Sequence, residues 1–471
     1  MRPHVLCVVL DTARADALEP YGAPAGSSPT IADLAGRGAA LPHVFATGCW
    51  TMPSHASMLT GLMPRAAGLA TAPGGRPSGC RPALEHHRER LLPDVLRRGG
   101  YHTAAVSANL WVGPRSGFDI GFDEFSVVET GRQALMHRPD RRSRLRWTVE
   151  ATRAQVDDGA RDAREELRRM IESRPDRPCF WFVNLVECHS PYLPPRPYND
   201  LSTIDRVRAA EEARRYLTLD AVWRACAGGF DVPDDALERM RHLYRAAVRE
   251  LDDWVGQAID DLDRAGILDD TLVVVTSDHG ENFGEGGLLA HSFSLDNRLI
   301  RVPFVVAGPG AEARERPLSL AELPRVIADA AGLEDHPWAD GLPDGVAVAQ
   351  FDPPATADDP RVSQAVARWG LGEEAIVRIT TPYTMATDGR RKLLRAGSDH
   401  YLIDLDEDPL EVDPQPLRAV AEYADGVLDS LWAALEHPAV LSRDGAAPGA
   451  PEAPHQELEQ IADQMRLLGY M

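Results

Sequence analysis

The 471-residue chain is poor in lysine and cysteine and has no long apolar run. Lys392 is its single lysine, so amine-nucleophile or Schiff-base chemistry is confined to that position. The six cysteines (Cys7, Cys49, Cys80, Cys179, Cys188 and Cys226) form no CxxC pair. That pattern suggests neither a disulfide framework nor a thiolate zinc cluster, leaving reduced, buried thiols as the expectation. Positive charge is scarce too: 50 Lys+Arg against 72 Asp+Glu give a net charge of −22. The long-range field therefore repels nucleic acid and anionic membrane unless a local basic patch overrides it. No stretch reaches the roughly 18–20 apolar residues of a membrane span. The opening MRPHVLCVVLD has an apolar run too short for a secretory leader, and an acid ends it. A soluble, cytoplasmic protein is expected, with no membrane span and no nucleic-acid partner. Its oligomeric state is not encoded in any readable pattern.

Hydrophobic residues make up 44% of the chain, enough for a sizeable core. Four short aliphatic runs read as buried strands: Val5–Leu10, Phe180–Val186, Thr271–Thr276 and Val302–Ala307. Helical patterns lie between them at Pro29–Arg37, Leu91–Arg98, Gly159–Glu172 and Ala236–Ala265. Alternating strand and helix reads as α/β, with ligands expected beyond the carboxyl ends of the strands. Gly68–Pro82 reads as a loop. The Arg-rich stretch Arg132–Arg153 reads as a solvated helical insert, a lid, or a docking site for an acidic partner. Asp340–Asp359 lacks periodicity and suits a linker; strand-like turns around Tyr383–Leu394 and His400–Leu405 and a helix near Gln456–Leu468 follow it.

The strand ends deliver metal-ligand residue types: Asp11, the Glu187/His189 pair, and Asp278 with His279. Thr51 adds a hydroxyl in GCWTMPSHASMLTG, where Pro53 and small residues open a helix whose N-terminal amides suit an anion. An Asp/His/hydroxyl set suits a divalent cation; its oxygens fit calcium, magnesium or manganese, and its imidazoles fit zinc or manganese.

These segments resemble the sulfatases of the alkaline phosphatase superfamily nearly end to end. VVLDTARADALEPYG is similar to the family's opening and GCWTMPSHASMLTGLMP to its nucleophile motif, Cys/Ser-x-Pro-Ser-Arg, and TLVVVTSDHGENFGE has a counterpart as well. HSPYLPP, HSFSLDNRLIRVPFVVAGPG, YLIDLDEDPLEVDP and MRLLGYM also have counterparts. The resemblance implies a large mixed, mostly parallel sheet flanked by helices in residues 1–345, with helical inserts at about 130–178 and 198–240. Residues 346–471 would form a linker and a smaller C-terminal α+β subdomain.

Departures from the family pattern redirect the chemistry. Thr51 stands where the family's formylglycine-forming cysteine is, and a secondary alcohol cannot become that aldehyde hydrate, so no formylglycine is expected. His55 replaces the motif's arginine, Thr12 the second acid of an Asp-Asp pair, and His291 the usual active-site lysine. The set moves toward relatives with an unmodified threonine nucleophile, such as nucleotide pyrophosphatase/phosphodiesterases and phosphoethanolamine transferases. The expectation is a hydrolase or transferase acting on a phosphate or sulfate ester of a small anionic molecule. In this reading Asp11, Thr51, Asp278 and His279 hold one divalent ion (Zn, Mn, Ca or Mg), and Thr51 attacks. Arg14 neutralises non-bridging oxygens, His189 protonates the leaving oxygen, and His291 assists or binds the ester. His55 orients Thr51, contacts substrate, or packs as a core histidine. Glu187, His189 and His291 are the candidate set for a second ion. Glu281 and Asn282 serve the site or open a helix. Three alternatives stand beside this reading: a sulfatase working without formylglycine, a biosynthetic group-transfer or cyclising enzyme, and a non-catalytic anion-binding protein.

Overall fold

A computed structural model of the chain describes residues 2–69, 80–128, 141–338, 344–353, 355–417 and 426–442. The helix expected near Gln456–Leu468 lies outside these residues, as does most of the Gly68–Pro82 segment, whose last residues instead begin the helix Cys80–His86.

Seven strands make the central sheet: β1 (His4–Leu10), β2 (Ala39–Ala40), β3 (His102–Ser107), β4 (Glu124–Val127), β5 (Cys179–Leu185), β6 (Thr271–Thr276) and β7 (Phe304–Ala307), in the order β2-β7-β6-β1-β5-β3-β4. The five strands β6, β1, β5, β3 and β4 are mutually parallel. Residues Val5–Leu10 are buried throughout, because β1 has a neighbour on either edge and helices cover both faces. Each such Val or Leu contributes about 1.5–3 kcal/mol through burial.

The register of these strands builds the site. Ser107, Asn184, Val9 and Thr276 lie side by side across four strands. Two residues beyond that row are Asn109 from β3, Asp11 from β1 and Asp278 from β6. One aligned row of hydrogen-bonded backbone thus delivers residues distant in sequence to one sheet end.

The strand expected at Val302–Ala307 runs the other way. It begins at Phe304, after Pro303, and pairs antiparallel to β6. Gly308-Pro309-Gly310 therefore lies at the sheet end opposite Asp278. Gly308 has φ +102°, and a Cβ there would overlap the Thr271 carbonyl.

The segment expected as a linker contains a strand. β8 (Ala347–Phe351) is the edge of a five-stranded antiparallel sheet continued by β9 (Tyr383–Thr387), β10 (Arg391–Ala396), β11 (Asp399–Asp404) and β12 (Gln415–Pro416). Both faces of β8 are buried: Ala347, Ala349 and Phe351 join the main core, while Val348 packs in a second core with the helix Gly426–Leu435. Its flanking Pro and Asp residues mask so short a run. The Arg-rich stretch forms the helix Arg141–Arg153 over its described part, and two further helices, Thr203–Tyr216 and Leu219–Cys226, occupy the second insert. All six cysteines are buried and unpaired.

Candidate active site

Thr51 is the first residue of the ten-residue helix Thr51–Thr60, which is buried along its whole length. Its Oγ1 lies 3.4 Å from Nε2 of His279. Nδ1 of His279 lies 3.0 Å from the Gly280 carbonyl, which can only accept, so Nδ1 carries the proton and the Nε2 lone pair faces the site. Around that lone pair stand Asp278 Oδ2 at 3.3 Å and Asp11 Oδ1 at 3.9 Å.

The two carboxylates are held from behind. Asp11 Oδ2 accepts from Asn109 Nδ2 at 2.6 Å, and Asp278 Oδ1 accepts from the backbone amides of Thr12 at 3.2 Å and His279 at 2.9 Å. Their other oxygens, Asp11 Oδ1 and Asp278 Oδ2, are buried without a geometrically sound hydrogen bond, with His55 Nδ1 3.3 Å from Asp278 Oδ2. These two oxygens and the His279 nitrogen supply ligand atoms within 4.8 Å of one another. Uncompensated carboxylate oxygens are costly in a dry interior, so the donor set fits a divalent cation. Two carboxylates and one imidazole are compatible with magnesium, calcium, manganese or zinc alike.

Four histidines surround the same point. Burial, then the charge of His291, push His279 down to about 3. Burial also opposes protonation of His291, but Glu281, whose Oε1 lies 3.0 Å from its Nδ1, overrides burial and raises it. The His291 ring lies 4.6 Å from that of His279 and 5.0 Å from that of His189, centroid to centroid. His55 is fully buried, with Nδ1 3.0 Å from the Thr51 carbonyl and Nε2 3.2 Å from Asn184 Oδ1. Burial works against its protonation, and the neighbouring Asp278, then Asp11, pull its pKa above the usual imidazole value. A cation held between those carboxylates would cancel most of that pull. The His55 ring is edge-on to Phe118 and Phe182.

Two expected residues are placed elsewhere. Arg14 does not aim its guanidinium at the carboxylate pair; it binds Asp16, Glu285 and the Glu281 carbonyl, because local acids offer a closer partner. Glu187 does not join His189 and His291. Its Oε1 accepts from the Ala160 amide at 2.8 Å, capping the helix Ala160–Glu172. Among the described residues, Asp11, Asp278 and His279 are the one cluster of three or more metal-ligand side chains. Glu281 and Asn282 open no helix: Asn282 begins a two-residue strand paired with Leu289–Ala290, and that hairpin leads to His291.

Asn109, Asn184 and Tyr192 have no counterpart in the sequence reading. Asn109 follows HTAAVS, whose two alanines and short length give a weak strand signal, so its place at a strand end is visible only once β3 pairs with β5.

Comparison with known proteins agrees with this architecture. The Sulfatase family model matches residues 3–333. A choline-sulfatase of Rhizobium meliloti is 27% identical over 463 residues, covering 91% of this chain and 84% of that protein. In fold, the chain is similar to the phosphonate monoester hydrolase of Agrobacterium radiobacter, with a TM-score of 0.64 at 20% identity over 92% of this chain and 95% of that one. A putative sulfatase from Bacteroides thetaiotaomicron gives a TM-score of 0.65 at 16% identity over 97% and 96% of the two chains. With the model spanning most of its length and the mostly parallel sheet delivering the expected acids, this chain belongs to the sulfatase family, whose named relatives here are ester hydrolases.

Proposed function

We propose that the protein cleaves or transfers the anionic group of a small phosphate or sulfate ester, with the Thr51 hydroxyl as nucleophile. One observation carries this reading: Thr51 Oγ1 stands at a helix N-terminus, 3.4 Å from the same His279 Nε2 that faces Asp278 Oδ2 at 3.3 Å and Asp11 Oδ1 at 3.9 Å. Relatives named as a choline-sulfatase and a phosphonate monoester hydrolase point to the same substrate class, a tetrahedral anionic ester.

Asp11, Asp278, His279 and the Thr51 hydroxyl are the residues that would hold a divalent ion. When bound, such an ion supplies the positive charge that lowers the hydroxyl's pKa and offsets charge on the ester's non-bridging oxygens. The amide of Met52, in the first helical turn, adds a donor for those oxygens. In the first step Thr51 gives up its hydroxyl proton to water, a bond forms from its Oγ1 to phosphorus or sulfur, and the bond to the leaving oxygen breaks. His291, held by Glu281, or His189 beside it, gives the leaving oxygen its proton. Water or an acceptor alcohol then attacks the Thr51 ester, giving its proton to that histidine, and the bond to Oγ1 breaks and the hydroxyl regains a proton from water.

The test is purified protein assayed on p-nitrophenyl phosphate, bis-p-nitrophenyl phosphate and p-nitrophenyl sulfate, with metal content measured on each variant. Thr51→Ala should lose turnover while retaining metal, and Thr51→Ser should keep part of the activity. Full activity in Thr51→Ala would remove the nucleophile assignment. Faster release of sulfate than of phosphate would select the sulfatase form of the reading.

A further inference from the structure

The helices Arg141–Arg153 and Thr203–Tyr216 are out of character with the rest of the chain. Together they carry nine arginines against four carboxylates, a net +5 within a chain of net −22. They lie antiparallel. Trp147 Nε1 donates to the Ala210 carbonyl at 2.9 Å, Arg206 Nε to the Thr152 carbonyl at 2.7 Å, and Arg144 stands 3.7 Å from Glu211.

On the first helix Ser143, Trp147 and Ala151 are buried, while Leu145 and Val149 point the opposite way at 67% and 37% exposure. On the second, Ile204 and Val207 are exposed at 67% and 37%, and the register above brings Val207 alongside Val149. Four of the nine exposed large hydrophobic residues among the described ones thus share this pair of helices. Arg141, Arg146 and Arg153 are exposed on the first helix, and Arg208 on the second.

We propose that this outer face docks on an anionic phospholipid surface. Guanidinium groups pair bidentately with phosphate, and the negative potential of such a surface attracts basic residues close to it. Aliphatic side chains between them reach the boundary of headgroup and acyl chain. Screening confines attraction and repulsion alike to about 8–10 Å at physiological salt, so this face approaches without meeting the distant acids. The exposed apolar residues are aliphatic, whereas protein interfaces favour Tyr and Trp anchors and single-stranded nucleic acid favours aromatic platforms; lipid is the occupant that chemistry favours. The first helix adjoins the segment that follows His189: the Ala154 carbonyl just past its end accepts from the Arg196 amide at 2.8 Å.

The experiment is flotation of the full chain with vesicles of phosphatidylcholine alone or mixed with phosphatidylglycerol, in low and high salt. Retention on the anionic vesicles, lost in high salt, is expected. Arg141→Glu/Arg153→Glu and Leu145→Ser/Ile204→Ser should each weaken it on the order of tenfold or more, with thermal midpoints and ester hydrolysis unchanged. No retention on anionic vesicles, or variants that float like the parent, overturns the proposal. Retention of an acidic protein or of duplex DNA without vesicle binding overturns it in favour of that partner. None of these readouts depends on Thr51.

Discussion

The carboxylate of Glu281 holds His291: Oε1 of Glu281 lies 3.0 Å from Nδ1 of His291. Its other oxygen accepts the Tyr192 hydroxyl at 2.7 Å, so the buried acid is satisfied on both sides. The pairing places the proton on Nδ1 and turns Nε2 away from Glu281. His291→Ala should lower kcat by roughly 10²–10⁴, the range of a proton-transfer group. Glu281→Ala should fall in the same direction, and Tyr192→Phe much less, since the acid keeps its imidazole contact. Steady-state kinetics on whichever ester the protein hydrolyses fastest decides; a Tyr192→Phe loss as large as that of His291→Ala contradicts this division of roles.

Asn109 binds Asp11 Oδ2, leaving Oδ1 as the oxygen that would face a cation. Removing its 2.6 Å hydrogen bond frees Asp11 to rotate. Asn109→Ala should therefore weaken metal affinity about 10–100-fold, the usual cost of losing such a supporting partner. Competition titration against a chelating dye measures it, and unchanged affinity would show that Asp11 is fixed by its backbone alone.

Glu187 gives the protein a pH signature. Burial, then the charges of Asp158 and Asp157, push its pKa up to about 8. An unfolded glutamate titrates near about 4.3, so between these values the folded state holds a proton that the unfolded state lacks, and stability falls as pH rises. Glu187→Gln should have a higher melting temperature than the parent at pH 8, with the gap closing toward pH 5. A gap that widens on acidification reverses the assignment.

The one lysine is a structural tie. Lys392 is fully buried, its Nζ 2.8 Å from both oxygens of Glu411 and 3.0 Å from the Leu295 carbonyl; Glu411 in turn accepts from the Asn297 amide at 2.7 Å. The contact fastens the C-terminal sheet to the segment that follows His291. Lys392→Met should cost about 3–5 kcal/mol by stranding a buried carboxylate. Lys392→Met/Glu411→Gln should recover part of that loss, because glutamine still accepts from Asn297. Denaturant unfolding of both variants tests the order.

Much of the fold was readable in the chain. Thr271–Thr276 is a strand over the stated range and Pro29–Arg37 a helix, because long aliphatic runs and a well-placed proline leave the backbone few alternatives. At β8 a run of five residues buried on both faces is too short to stand out among prolines and acids.

What the sequence by itself determined is the identity of the groups that can carry chemistry. Asp11, Asp278 and His279 follow strands whose hydrophobic runs are local, and Thr51 opens a helix set by Pro53 and small neighbours. Only the tertiary structure decided which groups meet. Strand register brings Asn109 to Asp11, although the two are 98 residues apart. The same packing turns Arg14 toward Asp16 and Glu285 and takes Glu187 away to cap a helix. Residue type is fixed by covalent chemistry, whereas side-chain pairing is settled by which polar partner lies nearest once the apolar surface is buried.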